Sequence, residues 1–140
     1  MKLDVLRRYR AQVEEVVRMD FILLRQELQD IEARSRLLEA NMKLTTDEYL
    51  AKAGEGVALD EFLVWQSKLI AETSKLASAK QMEDQFREAW NQKQNELRVA
   101  MHDRRTLDRL AERMNQQCRL VQDRVDQIEM DEAARRTSVL

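Results

Sequence analysis

The chain has 140 residues, of which 36% are charged and 5% aromatic, with two glycines, no proline and a net charge of −2. Leu, Ala, Glu, Gln, Arg and Lys dominate, which is the composition of coiled coils and long helices rather than of a globular domain. The near-neutral charge argues against a nucleic-acid partner, the single cysteine excludes an intrachain disulfide, and no apolar run reaches the ~20 residues of a membrane span.

The opening Met1-Lys2-Leu3-Asp4 has no apolar run behind it, so no signal peptide is expected, and the protein reads as cytoplasmic. The first helix is expected over residues 3–53. From Val17 its apolar positions alternate by four and three: Val17, Phe21, Leu24, Leu28, Ile31, Ser35, Leu38, Met42, Thr45 and Tyr49. That spacing is a coiled-coil seam. Before Val17 the stripe is read through Leu6, Tyr9 and Val13, which requires an extra step of four, a stutter.

Both glycines fall in Ala53-Gly54-Glu55-Gly56-Val57, and a turn is expected at 54–56, since glycine alone enters the left-handed region without a side-chain clash. The second helix is expected over 57–135, with a frayed end at 136–140. Its seam runs in one register from Phe62, Trp65, Leu69, Glu72, Leu76 and Ala79 to Glu83, Phe86, Trp90, Lys93, Leu97, Ala100 and Arg104. At 1.5 Å per residue the helices would measure roughly 75 and 115 Å.

Folding at Glu55 tests the two registers against each other. It pairs Tyr49 with Phe62, Thr45 with Trp65, Met42 with Leu69, Ser35 with Leu76, Ile31 with Ala79, Leu24 with Phe86 and Phe21 with Trp90. The predicted fold class is therefore all-α: two long helices forming an antiparallel coiled-coil hairpin, the second helix longer than the first, in a single elongated domain over 1–140. A parallel homodimer broken at the glycines remains the structural rival.

Helix one runs out with Leu3 opposite Leu107 or Asp108. The second helix then carries an unmatched stripe of Ala111, Met114, Cys118, Val121, Val125 and Ile128, which needs another protein or a second copy to bury it. No catalytic constellation is present. His102 is the only histidine, Cys118 reads as a small seam residue, there is no Gly-rich phosphate loop, and a narrow hairpin offers no concave pocket. Neither metal nor cofactor is expected. The tip is acidic, with Asp47, Glu48, Glu55, Asp60 and Glu61 against Lys52. The far arm is rich in arginine, with Arg98, Arg104, Arg105, Arg109, Arg113, Arg119 and Arg124.

Three features carry a family resemblance. The turn Gly54-Glu55-Gly56-Val57-Ala58 is followed by Phe62, Trp65 and Gln66. The stretch Arg104-Arg105-x-Leu107-x-Arg109-Leu110-x-Glu112-Arg113 is basic. The chain closes on Glu129-Met130-Asp131-Glu132-Ala133-Ala134-Arg135. Together they resemble the flagellar export protein FliJ family, whose virulence-secretion counterpart is the YscO type. The resemblance implies a non-enzymatic component of flagellar type III export, lying at the inner face of the cytoplasmic membrane without inserting into it. It implies a central stalk that enters the ring of the export ATPase FliI, contacts the gate protein FlhA near the hairpin tip, and is linked with export chaperones. On that analogy Arg109, Arg113, Met114, Val121, Arg124, Val125 and Ile128 would meet the ATPase. Leu38, Met42, Tyr49, Phe62, Trp65 and Gln66 would meet the gate. An injectisome stalk and a generic coiled-coil tether are the alternative readings.

Overall fold

The computed structural model describes residues 2–139, with side chains as far as residue 138. Two helices, α1 (Lys2–Glu55) and α2 (Leu59–Val139), pack against each other as an antiparallel coiled-coil hairpin, the second longer. No proline interrupts either one, and no cis peptide occurs among the described residues. The chain divides into two compact units, Val17–Leu97 and Met1–Val16 with Arg98–Leu140.

The first of these units contains the turn. Gly54 is still helical, and the chain reverses over 56–58, later than the expected 54–56. Gly56 alone has positive φ, at 96°, and its N–H donates to the Ala53 carbonyl at 3.3 Å, which ends α1. Ala58 opens α2 by accepting the Phe62 N–H at 3.0 Å, and Asp60 and Glu61 in the first turn suit the positive end of the helix dipole. The two glycines therefore answer differently to substitution. An added Cβ meets nothing within 4 Å at either position, but only Gly56 has a backbone that L residues avoid. Gly54→Ala is expected to stabilise by about 0.5–1 kcal/mol and Gly56→Ala to destabilise by about 1 kcal/mol. Urea midpoints moving in opposite directions would establish this, and a shared direction would refute it.

Away from the turn the expected seam is found. Leu28, Ser35, Thr45 and Ala79 are buried, and Val17, Leu24, Ile31, Leu38, Met42, Leu69, Leu76, Phe86 and Trp90 are half-buried. Phe21 stacks on Trp90 with ring centroids 5.5 Å apart, and Tyr49 lies 6.3 Å from Phe62, as paired above. Thr45 differs. Its hydroxyl lies 3.0 Å from both the Asn41 carbonyl and a Glu72 carboxylate oxygen, while Trp65 turns to Tyr49 at 6.2 Å. Ion pairs flank the seam: Lys80 with Glu39 at 2.6 Å, Arg87 with Glu32 at 3.3 Å and Lys93 with Asp20 at 3.5 Å. The hydrogen bond to Glu39 holds Lys80 above the ordinary lysine value.

Ser35 is 2% exposed, and its Oγ has no hydrogen-bond partner. A buried hydroxyl without a partner costs its lost hydration, and removing it relieves that cost. Ser35→Ala is expected to raise stability by about 1 kcal/mol. The check is a higher urea midpoint at unchanged slope; a lower midpoint would mean that the hydroxyl is satisfied.

In the other unit the seam follows the expected apolar residues only in part: Val13 and Leu107 are half-buried and Ala100 is buried. Leu6 and Tyr9, expected on it, are exposed, and no stutter is present. Besides Val13, the inward positions are Leu3, Arg7, Arg10 and Glu14, spaced by four and three. Glu14 is only 3% exposed and accepts a hydrogen bond from Arg104 Nε. Arg104 also reaches Asp108 at 3.0 Å, Arg7 reaches Asp108 at 3.1 Å, and Arg10 reaches Asp103 at 3.4 Å. Ion pairs between the helices thus occupy positions that hydropathy assigns to solvent. They also hold Arg104 above the ordinary arginine value, chiefly through the Glu14 hydrogen bond. At the far end α2 stays helical to Val139 where fraying was expected at 136–140; Leu140 lies outside the described residues.

Candidate protein-binding sites

In the unit formed by Met1–Val16 and Arg98–Leu140, the start of α1 sets where α2 loses its cover. Ala111, expected in the bare stripe, is 6% exposed and so does not belong to it. From Glu112 to Ser138 every residue is exposed. The uncovered stripe is Met114, Cys118, Val121, Val125 and Ile128, with Val121 at 60% and Val125 at 42%. Cys118, expected as a packed seam residue, is exposed because no helix of the chain reaches it.

Arg109, Arg113 and Arg124 lie along the same segment and form no ion pair among the described residues. Arg104 does not belong with them, because it is held by Glu14 and Asp108. An apolar line with free guanidinium groups on its flanks suits a protein surface carrying carboxylates.

The unit Val17–Leu97 presents a different surface at the turn. Tyr49, Phe62 and Trp65 cluster there, with Phe62 and Gln66 exposed and Tyr49 and Trp65 half-buried. Lys52 and Lys68 stand over the Trp65 ring at 5.2 and 5.4 Å from its centroid. Lys68 was not singled out by the sequence, and Lys52 only as the cation set against the acidic tip. The signal was available, since Lys68 lies three residues beyond Trp65 and Lys52 is in the last turn of α1. Leu50, Leu59, Leu63 and Val64 add exposed apolar area.

Leu38, grouped with the tip from the sequence, lies elsewhere. It lines a cavity of about 230 Å³ with Ile31, Arg34, Ser74, Lys75, Ser78, Ala79 and Met82, and Tyr49, Phe62 and Trp65 take no part in it. Small residues on α2 leave that space. Met42 is half-buried on the seam. Among the described residues no helix is long and apolar enough to cross a membrane, and no three His, Cys, Asp or Glu residues are placed to hold a metal.

The family model for the flagellar FliJ protein matches residues 1–139.

The chain belongs to the FliJ family.

Neither a curated relative nor a solved structure matches it. FliJ proteins are non-catalytic components of flagellar type III protein export. In this FliJ-family chain the features available for that role are thus two exposed surfaces, and they differ in chemistry: aromatic with flanking lysines and carboxylates near the turn, aliphatic with arginines on the arm.

Proposed function

We propose that this FliJ-family chain is a central stalk of flagellar export, binding the FliI-like export ATPase ring with one surface and the FlhA-like export gate with another. Arg109, Arg113, Met114, Val121, Arg124, Val125 and Ile128 would engage the ATPase. Tyr49, Phe62, Trp65 and Gln66 would engage the gate, with Leu38 and Met42 as a further contact patch. The protein would work at the cytoplasmic face of the inner membrane, held there by its partners, and would hand over export chaperones.

The observation that carries this reading is the stripe from Met114 to Ile128, apolar, regularly spaced and left uncovered by its own chain. The match to the flagellar family supports the flagellar reading over the injectisome one. The deciding experiment is turnover of the cognate ATPase with and without the full chain. Stimulation together with co-purification is expected; absence of both would reject the stalk.

A further inference from the structure

We propose that residues 114–136 of α2 pair with the same segment of a second copy as a parallel two-stranded coiled coil, held in register by Arg124 with Glu129 and Asp131 with Arg136 between the copies. This stands on the charges of the chain itself and not on the ATPase reading, although both would use the same stripe and so exclude each other.

The exposed stripe supplies the core. Cys118 and Val125 occupy the a positions, and Met114, Val121 and Ile128 the d positions. In a parallel pair each of these meets its own twin. Glu132, the next a position, would set like charges together, so the apolar core ends there.

The flanking residues choose the occupant and its direction. Arg124 and Asp131 fall at g, and Glu129 and Arg136 at e. In parallel coiled coils a g residue faces the following e residue of the other strand, so Arg124 meets Glu129 and Asp131 meets Arg136, each twice by symmetry. Gln117 likewise meets Gln122. An antiparallel pair overlapping the whole stripe would instead set Arg124 against Arg124 of the second copy.

The charges are free to do this. Among the described residues Arg124, Glu129 and Arg136 make no ion pair within the chain, and Asp131 only accepts a 3.4 Å hydrogen bond from Gln127. Nearer the start of α1, by contrast, Arg7, Arg10 and Arg104 all pair with carboxylates across the helices. The free segment carries the same kind of flanking charges with no second helix to meet them.

The test uses the purified full chain without any partner. Sedimentation equilibrium should show a monomer–dimer equilibrium. Added oxidised glutathione should link the copies through Cys118: two thiols lose two protons and two electrons, the oxidant leaves as two reduced glutathiones, and one disulfide forms. Arg124→Glu alone and Glu129→Arg alone should each weaken the dimer roughly tenfold or more. The double exchange should restore it, because the pair re-forms with its signs reversed.

Neither single change is expected to cost helicity. The neighbours of Arg124 on its own helix face are Leu120, Val121, Gln127 and Ile128, and an arginine at 129 would sit between Asp126 and Glu132. A chain that stays monomeric at every concentration overturns the proposal. A dimer that ignores the charge exchange, or that gives no Cys118 link, overturns it equally. ATPase stimulation is read in a separate assay, so the stalk can fail while the pairing holds, and the reverse.

Discussion

Val121→Asp combined with Val125→Asp is expected to abolish stimulation of the export ATPase and to leave the helical signal of the chain unchanged. Both side chains lie on the uncovered stripe, 60% and 42% exposed. A partner that buries them would have to bury two carboxylates in the doubly substituted chain, at the centre of an apolar contact. Losing two such anchors weakens binding by about a hundredfold or more. Within the free chain the change only replaces solvated valines by solvated aspartates, and aspartate and valine have similar helix propensities. Circular dichroism and ATPase turnover on one preparation would check both halves. Lost helicity would mean that the stripe is internal core. Preserved stimulation would mean that the ATPase binds elsewhere.

The second large effect is expected inside the hairpin. Trp90→Ala should destabilise the chain by about 3 kcal/mol or more, since it removes a large ring from the stack with Phe21 at 5.5 Å and leaves a void that two helices cannot fill. Small domains are stable by only about 5–15 kcal/mol, so the thermal midpoint should fall steeply. Trp90→Phe should cost far less. It keeps a ring against Phe21 and removes the indole Nε1–H, which is buried without a hydrogen-bond partner. A double-mutant cycle with Phe21→Ala isolates the coupling between the rings. Equal losses for Trp90→Ala and Trp90→Phe would show that the indole N–H, not the ring, is what position 90 requires.

The residues that read correctly from the sequence did so for a common reason. Phe21, Leu28, Tyr49 and Trp90 are apolar, lie at coiled-coil spacing and sit on faces where apolar meets apolar, so the period of hydropathy reports burial directly. Trp65 was placed at the tip, and of the two lysines over its ring Lys68 is three residues on in the same helix, while Lys52 belongs to α1 and becomes a neighbour only once the turn is closed. Leu38 was assigned to the tip by resemblance. Its cavity depends on Ser74, Ser78 and Ala79 across the helix pair, small residues that give no hydropathy signal of their own.

The antiparallel return over a parallel pair was decided by the tertiary structure. Periodicity, an absence of proline and a pair of glycines were sufficient to specify two helices, the break between them and an arm left over once they fold back. These features depend on repeats and on backbone freedom, which are local properties. Where the arm begins, and which face of the opening residues turns inward, came only from packing. Leu6 and Tyr9 look like core and stand in solvent, while Glu14 looks like surface and is 3% exposed. A buried carboxylate is tolerable only when a cation from another part of the chain answers it, and Arg104 lies on the other helix. No window of neighbouring residues contains both.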